Sequence, residues 1–505
     1  MRPNVLICVV DALRADRVGG ERGRTLTPNI GEFAEDATVF SDAYSTTNAT
    51  DPAITSLLTG RYPLGHGVVN HGWKVTNEEK QRVESVPYLP EILQQSGYRT
   101  AKFGRPLGRW HKRGFDRYPE VGEWRESKEA DSVTDAEMRL GSWLEGIDPR
   151  LRRAASSVYQ HTVGRLREWN EESESTDTIG RADVTGELRS FLGSDDPFFA
   201  FVHLMDTHVP YQVDREYIRR CLSEFDYENV PLADVAADFP EGSFSHDRLR
   251  PGGNIYEAAE PWADSEYEIG TAVVSAQYDA SVMKADERVG GILSMLEDNG
   301  YLEETLVVLL ADHGESLTEH DIYYDHHGLY DQSVRIPFVI RPPGGAATGI
   351  CDEFVQITDL LPTVAEYVDV EQPQAVDGQS LRPTIESGDP PDRTAIIAEE
   401  AHTQRRRMIR TPEEKLIYHL EGDRTCRYCE LVHEPDRELY DLADDPAEAE
   451  NDAEARPGRA DELHEEAERR AAELVEDSPA TTADDAVDYD DEEEIMDRLE
   501  ALGYR

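Results

Sequence analysis

Four residues, far apart along the chain, have side chains of the kinds that bind divalent metal ions, namely Asp11, Thr50, Asp312 and His313. Their carboxylate, hydroxyl and imidazole groups are hard or borderline ligands, and together they suit one Mg²⁺, Mn²⁺, Ca²⁺ or Zn²⁺ ion. A threonine hydroxyl is a weak nucleophile by itself, but a cation bound to its oxygen can make it the attacking group. An aspartate after an apolar strand is most often a turn residue, so only the four residues together predict a metal site.

The predicted secondary structure places these ligands at the ends of strands. Residues Asn4–Val10 form a short apolar run rich in β-branched side chains, which predicts a buried strand ending at Asp11. The run Thr305–Ala311 predicts a second buried strand, which ends at Asp312 and His313. Ligands of open α/β sheets gather beyond the carboxyl ends of the strands, so this edge of the sheet is the predicted site.

The segment around Thr50 predicts a helix start aimed at an anion. After Pro52, residues 53–58 favour a helix, with Thr50 or Asp51 near its N-cap. The first N–H groups of such a helix and the positive end of its dipole attract negative charge. An anionic substrate beside Thr50 follows from this geometry.

Strands alternate with helices along most of the chain, which predicts an α/β fold with a mostly parallel central sheet and helices on both faces. We assign residues 1–368 to this domain, with charge-rich insertions at about 120–195 and 214–266. Residues 369–444 predict a smaller C-terminal α+β subdomain. Residues 445–505 predict an acidic, partly helical tail.

The charge of the chain excludes some partners. Lys and Arg total 51 against 104 Asp and Glu, a formal net charge of −53, so a nucleic-acid partner is not expected. Acidic residues are spread along the chain, which favours a protein of a salt-rich cytoplasm, where salt screens the self-repulsion. The alternative is an ordinary enzyme with an acidic tail. The sequence shows no signal peptide and no apolar run of about 20 residues, so we expect a cytoplasmic protein without a membrane span.

Five cysteines are too few for a disulfide framework in a chain of 505 residues. Cys426 and Cys429, with His433 nearby, offer three of the four ligands that a structural zinc site needs. The alternative is a reduced or locally bridged turn.

Several ordered motifs resemble the sulfatase family of the alkaline phosphatase superfamily. The resemblance covers most of the chain to about residue 445, and again its last residues. It is carried by residues 4–16, 57–63, 97–104, 203–211, 309–315 and 438–446, together with 499–504.

The resemblance implies an alkaline phosphatase-like fold and a metal-dependent ester hydrolase. Asp11, Asp312 and His313 correspond to metal ligands of the family, and His208 to the histidine that holds the ester anion. Counting back from Leu57 places Thr50 at the position of the nucleophile. One divalent metal ion is implied.

This sequence departs from the family at the nucleophile motif. The family has Cys or Ser in Cys/Ser-x-Pro-Ser-Arg, where the first residue is oxidised to formylglycine. Here Thr50 holds that first position, while Ala53 and Ile54 replace the Ser and the Arg. Ala12 replaces the second early metal aspartate of the family.

Other departures concern residues that bind anions. Arg105 follows Gly104 where the family has Lys, and we predict that it pairs with an ester oxygen, the alternative being a solvated arginine. His326 and His327 fall near another anion-binding lysine of the family. We predict that His327 contacts the leaving group or a second metal ion, the alternative being a structural histidine.

Threonine at position 50 favours chemistry at phosphorus. Hydrated formylglycine expels sulfate by C–O cleavage, and a threonine sulfate ester cannot collapse in that way. A phosphothreonine is resolved by in-line attack of water or an alcohol on phosphorus. We therefore predict cleavage or transfer of phosphoesters or phosphodiesters of a small molecule, glycan or lipid. The alternatives are a sulfuric ester hydrolase and a non-catalytic binding protein; the oligomeric state is left open.

Overall fold

A computed structural model describes most of the chain and shows an α/β architecture. The described residues are 2–20, 25–119, 183–194, 196–262, 269–345, 349–401, 403–432 and 435–476. Most of the first predicted insertion and the last part of the predicted tail, residues 477–505, therefore lie outside the described residues.

The strands of the larger domain form one main sheet and one small one. Their bounds are β1 Asn4–Val10, β2 Thr38–Phe40, β3 Ala43–Tyr44, β4 Arg99–Gly104, β5 Phe198–Leu204, β6 Thr305–Ala311, β7 Phe338–Arg341, β8 Ile350–Cys351 and β9 Val355–Gln356. The main sheet has the order β4-β5-β1-β6-β7-β2-β8, and β3 pairs with β9. Because β4, β5, β1 and β6 are mutually parallel while β7 runs antiparallel to both of its neighbours, the prediction of a mostly parallel sheet is confirmed.

The centre of the sheet is apolar throughout. Every residue of β1, β5 and β6 is buried, as expected for strands covered on both faces. In the parallel register, Val10 lies beside Leu204 on one side and beside Ala311 on the other. The residues that follow these strands therefore emerge together at one edge.

Helices surround the sheet. The longest, Thr271–Asp298, packs against the helices Arg215–Glu224 and Pro28–Phe33. None of the helices in the described ranges has a stretch long and apolar enough to cross a lipid bilayer. The other α-helices before the C-terminal sheet are Thr50–Thr59, Pro63–His66, Asn77–Glu84, Leu89–Gln95, Val184–Leu192, Leu232–Ala237, Phe244–Leu249, Asn254–Ala259, Asp331–Val334, Leu360–Tyr367 and Arg382–Ser387.

The helix Thr50–Thr59 starts three residues earlier than predicted. Ala49 before it is extended, and Gly60 ends it in the left-handed region with φ +67°, which glycine adopts without strain. All ten of its residues are buried, so packing fixes the position of its first residue, Thr50.

The C-terminal part forms a second sheet, as predicted for an α+β subdomain. Strands β10 Ile396–Glu400, β11 Arg406–Arg410, β12 Glu414–His419 and β13 Arg437–Asp441 are antiparallel in that order. The helix Pro457–Glu476, within the predicted tail, packs on one face through Ala460, Leu463 and Ala467. The other face contributes Met408, Ile417 and Tyr440 to a cluster with Tyr330 and Phe354 of the larger domain.

A buried lysine of this sheet pairs with an aspartate of the larger domain and with a glutamate of the C-terminal part. Lys415 on β12 is completely buried, and its Nζ contacts a carboxylate oxygen of Asp331 and lies 2.6 Å from Oε1 of Glu448. Charges removed from water in this way are stable only while they stay paired. The position of the second sheet thus depends on Lys415.

Replacing Lys415 by Met should therefore lower the free energy of unfolding by about 3–5 kcal/mol, because the buried carboxylate of Glu448 loses its cation. The matched control is Arg437→Met, which breaks the exposed pair between Arg437 and Asp461 and should cost at most about 1 kcal/mol. Urea unfolding of both variants in concentrated KCl measures the difference. Equal losses would show that Lys415 does not hold the two parts together.

Candidate active site

The residues that follow β1 and β6 form a buried cluster of two carboxylates. Asp11 and Asp312 are 1% and 0% exposed, and Oδ1 of Asp312 accepts hydrogen bonds from the backbone N–H groups of Ala12 and His313 at 3.2 and 3.0 Å. The other oxygen of Asp312, Oδ2, has no hydrogen-bond partner, and neither has Oδ1 of Asp11. Two buried carboxylates with unsatisfied oxygens need a compensating positive charge.

Thr50 joins this cluster from the N-terminus of its helix. Its hydroxyl donates to Oδ2 of Asp11 at 3.4 Å and lies 3.2 Å from Nε2 of His313. Because Nδ1 of His313 donates to the carbonyl oxygen of Gly314 at 2.7 Å, Nε2 keeps a lone pair in the neutral ring. The structure thus brings together all four residues predicted as metal ligands.

A fifth residue, His203 on β5, also reaches the cluster. Its Nε2 lies 3.2 Å from Oδ2 of Asp11, and neither of its ring nitrogens makes a hydrogen bond. The register of the sheet explains the contact, since His203 pairs with Val9, two residues before Asp11. Sequence reasoning missed this residue, although a histidine inside an otherwise apolar strand was a signal for it.

The two carboxylates titrate differently. Burial alone raises the pKa of Asp11, but the contact with His203 and the nearby His208 and His313 outweigh it and hold that pKa well below its usual range. Burial and the negative charge of Asp11 raise the pKa of Asp312. Repulsion between the two groups is what a bound cation removes.

These donors fit a divalent metal ion. One oxygen each from Asp11 and Asp312 and one nitrogen of His203 lie within 4.8 Å of one another. Neighbouring and opposite ligands of a cation held at about 2.1 Å lie about 3.0–4.2 Å apart. The separations around Thr50 and His313 given above fall within this range, as does the 3.6 Å from Nε2 of His313 to Oδ2 of Asp312.

Asp51, next to Thr50, holds two further imidazoles. Nδ1 of His71 lies 3.0 Å and Nε2 of His111 3.5 Å from its carboxylate oxygens. The same carboxylate accepts from the backbone N–H of Gly72 at 2.7 Å, so Asp51 fixes the loop after the helix. Ala53 and Ile54, where the resemblance would place Ser and Arg, are fully buried in the main core.

The residues predicted to bind the ester anion lie at the same edge. Nδ1 of His208 donates to the carbonyl oxygen of Val209 at 2.5 Å, which leaves Nε2 for another partner. Burial lowers the pKa of His208 to about 4; Asp11 opposes this shift and Arg105 adds to it. Arg105 follows β4, and the backbone reaches it through Gly104, where a Cβ would meet the carbonyl oxygen of His203 at 2.1 Å.

The two adjacent histidines of the late segment point to different neighbours. The ring centroid of His326 lies 4.6 Å from that of His313 and 6.2 Å from that of His71. The buried His327 places its Nε2 3.5 Å from Oδ1 of Asp325. The predicted role of His327 in catalysis stays a prediction, and His326 is the member of the pair that packs directly on the cluster.

Three separate segments meet beside His327. The ring centroid of Tyr428, from the C-terminal part, lies 5.2 Å from those of His327 and Phe244. Lys74 places its Nζ 3.8 Å from the centroid of the Tyr428 ring, and burial lowers the pKa of Lys74 to about 8. Phe244 belongs to the second predicted insertion, so this insertion contributes to the rim of the site.

The cysteine pair lies in the same C-terminal loop. Cys426 and Cys429 are buried and form no disulfide, and a hydrogen bond with Cys426 lowers the pKa of Cys429. Within the described part of the chain, neither belongs to a group of three potential metal ligands. His433, the third residue of the predicted zinc site, lies outside the described residues.

The fold agrees with comparisons to known proteins. The profile of the Sulfatase family matches residues 3–370, and that of the C-terminal region of N-sulphoglucosamine sulphohydrolase matches residues 318–475. The chain therefore belongs to the sulfatase family, as its sequence motifs predicted. It is an ester hydrolase of the alkaline phosphatase superfamily.

Individual relatives differ in activity. The chain is 25% identical to the multifunctional alkaline phosphatase superfamily protein PehA of Trinickia caryophylli, over 77% of this chain and 78% of that protein. It is 23% identical to the N-acetylglucosamine-6-O-sulfatase of Bacteroides thetaiotaomicron, over 89% and 82%. The crystal structure of the phosphonate monoester hydrolase of Agrobacterium radiobacter has a TM-score of 0.66 at 21% identity, covering 94% of this chain and 96% of that one.

The unsatisfied oxygens of the cluster lead to a test of metal binding. We expect Asp312→Asn to reduce the affinity for Mn²⁺ or Zn²⁺ by about 100-fold, because the cluster loses one of two charges that hold the cation. Titration calorimetry on protein stripped with a chelator measures the affinity.

The control is Asp286→Asn, a buried aspartate that accepts hydrogen bonds from Asn29 and Ile30 and lies outside the cluster. Its metal affinity should equal that of the unchanged protein. If the cation binds to Asp312→Asn as tightly as it binds to the unchanged protein, the metal site lies elsewhere.

Proposed function

We propose that this protein cleaves phosphoesters or phosphodiesters by metal-assisted attack of the Thr50 hydroxyl on phosphorus. The observation that carries the proposal is the position of the Thr50 Oγ, 3.4 Å from Asp11 and 3.2 Å from His313 at the start of a helix. A nucleophile at this place faces the positive end of the helix dipole and the anion it attracts.

The residues of the cluster have separable tasks. Asp11 stays ionised because its pKa is held low, so its carboxylate accepts a hydrogen bond from the Thr50 hydroxyl and orients the oxygen. Asp11, Asp312, His313 and Thr50 would hold a divalent cation. Such a cation, when bound, supplies Lewis-acid stabilisation of the negative charge that develops in the reaction.

The surroundings of Thr50 support an anionic substrate. In a chain with a net charge of −53, seven of the 15 histidines gather at this edge of the sheet. His208 offers Nε2 to an ester oxygen, and Arg105 follows on the neighbouring strand end. The seven are His71, His111, His203, His208, His313, His326 and His327.

Phosphorus is favoured over sulfur because of the residue at position 50. Thr50 cannot become formylglycine, and Ala53 and Ile54 supply none of the polar groups of that motif. A threonine phosphoester is resolved by in-line attack of water on phosphorus, whereas a threonine sulfate has no second hydroxyl to expel sulfate. The similarity to the phosphonate monoester hydrolase supports this choice.

A sulfuric ester hydrolase is the second candidate. The match of residues 318–475 to the C-terminal region of N-sulphoglucosamine sulphohydrolase favours it. So does a solved structure bound to its substrate D-glucosamine-2-N,6-O-disulfate, with a TM-score of 0.65 at 19% identity over 96% of this chain and all of that one. For both candidate functions, we propose that a glycan supplies the alcohol portion of the ester.

Turnover of four nitrophenyl esters tests the choice between phosphorus and sulfur. We expect the phosphodiester and the phosphonate to be cleaved faster than the phosphate monoester and the sulfate, with Mn²⁺, Mg²⁺, Ca²⁺ or Zn²⁺ added. The assay uses concentrated KCl, because the acidity of the chain supports a further proposal that the protein works in a salt-rich cytoplasm. Fastest cleavage of the sulfate by unmodified protein would support the second candidate instead.

Thr50→Ala should lower kcat by about 10³-fold or more, because the attacking oxygen is removed, while the protein still binds metal through its carboxylates. The control is Thr59→Ala at the end of the same helix, where the hydroxyl donates to the Thr55 carbonyl oxygen and accepts from the Arg61 N–H, away from the cluster. Steady-state kinetics together with the metal content measure both effects. Unchanged turnover in Thr50→Ala would remove Thr50 from the reaction.

His208 gives a prediction for pH. Its pKa of about 4 in the free protein leaves it neutral at pH 7, and an anion beside Nε2 favours the protonated ring. Anion binding should therefore take up a proton, and the affinity should fall as the pH rises through the higher pKa of the bound state. Sulfate is the suitable anion, because its own charge is constant over this range.

Inhibition by inorganic sulfate, measured between about pH 5 and 8, checks the prediction. His208→Asn should bind sulfate more weakly and with no such pH dependence. The same pH dependence in this variant would mean that another group takes up the proton.

A further inference from the structure

The buried imidazole of His203 is the feature of the site that the proposed reaction does not use. It is 1% exposed, and neither nitrogen meets the geometry of a hydrogen bond. A buried polar group without a hydrogen bond costs about 1–3 kcal/mol, so such a group calls for a partner. Its Nε2 faces Oδ2 of Asp11 at 3.2 Å.

We propose that His203 is a ligand of the metal ion and that the site is consequently built for a transition metal such as Zn²⁺ or Mn²⁺ rather than for Ca²⁺ or Mg²⁺. The inference deepens the proposed function by naming the cation, and it rests on the same cluster. Its test uses no substrate, so it can fail while the ester chemistry holds.

The geometry of the cluster supports His203 as a ligand. The 3.2 Å between His203 and Asp11 is the distance expected for neighbouring ligands of one cation. His203 approaches from β5, on the opposite side of β1 from β6, which carries Asp312 and His313. The donor atoms of Asp11, His203 and Asp312 therefore come from three adjacent strand ends and lie within 4.8 Å of one another.

The residue after Asp11 gives the cation no ligand. Ala12 has no donor in its side chain, its N–H donates to Asp312, and its carbonyl oxygen accepts from the Tyr278 hydroxyl at 2.7 Å. This turn therefore offers the cation nothing beyond Asp11. His203 supplies a donor that the loop after β1 does not.

The balance of donor types also favours a transition metal. Two carboxylates, the Thr50 hydroxyl and the imidazoles of His203 and His313 form a mixed oxygen and nitrogen set. Imidazole ligands suit Zn²⁺ and other transition metals, whereas Ca²⁺ and Mg²⁺ prefer oxygen ligands throughout. The second imidazole shifts the preference of the site from Ca²⁺ and Mg²⁺ to a transition metal.

X-ray absorption at the zinc edge counts the imidazoles directly. Protein stripped of metal and given one equivalent of Zn²⁺ in concentrated KCl should show two imidazole ligands, and His203→Gln should show one. Glutamine keeps a polar group of similar reach, and circular dichroism reports whether the variant folds. One imidazole in the unchanged protein would overturn the proposal, and this measurement does not depend on the variant.

Titration calorimetry tests the selectivity. The unchanged protein should bind Zn²⁺ at least about tenfold more tightly than Ca²⁺, and His203→Gln should lose most of this difference by weakening Zn²⁺ alone. The control is His66→Gln, a buried histidine that pairs with the Ser56 hydroxyl outside the cluster and should keep the preference. Equal affinity for both ions, or a His203→Gln variant that binds Zn²⁺ as before, would show that His203 only contacts Asp11.

Discussion

The structure around the site depends on one constraint, the placement of two carboxylates in a buried position where water cannot compensate their charge. Asp11 and Asp312 follow neighbouring parallel strands and leave oxygens without hydrogen bonds. Burying one such charge costs several kcal/mol, so the arrangement persists only with a positive partner. The imidazoles, the start of the helix and Thr50 are all placed around these two carboxylates and the positive partner that they need.

The acidic composition makes this concentration of basic groups informative. A surface with far more Asp and Glu than Lys and Arg repels anions at a distance. At the carboxyl edge of the sheet, however, histidines and Arg105 lie beside the aspartates. The proposed anionic ester would therefore find donors within the site itself, while salt screens the repulsion by the rest of the surface.

The larger part of the fold and four members of the site could be predicted from the sequence. Strands β1 and β6 were predicted with the bounds that the structure shows, because continuous apolar runs mark strands buried on both faces. Asp11, Asp312 and His313 follow these strands, and Pro52 marks the helix that presents Thr50. These are local signals that a single sequence carries.

The other members depend on contacts between distant segments. His203 reaches Asp11 only because β5 pairs with β1 in one particular register, which the sequence of neither strand specifies. His71 and His326 lie in loops whose positions follow from Asp51 and from packing on His313. The role of the second insertion at the rim likewise depends on how Phe244 meets Tyr428 across the two parts of the chain.

The central claim is that the Thr50 oxygen attacks the ester, and a chemical trap tests it most directly. Protein mixed with a phosphodiester and quenched in acid within one turnover should yield a peptide in which Thr50 carries the phosphoryl group left after the alcohol departs. Peptide mass spectrometry locates that group. Turnover without any modified residue, or modification of a residue other than Thr50, would contradict the account.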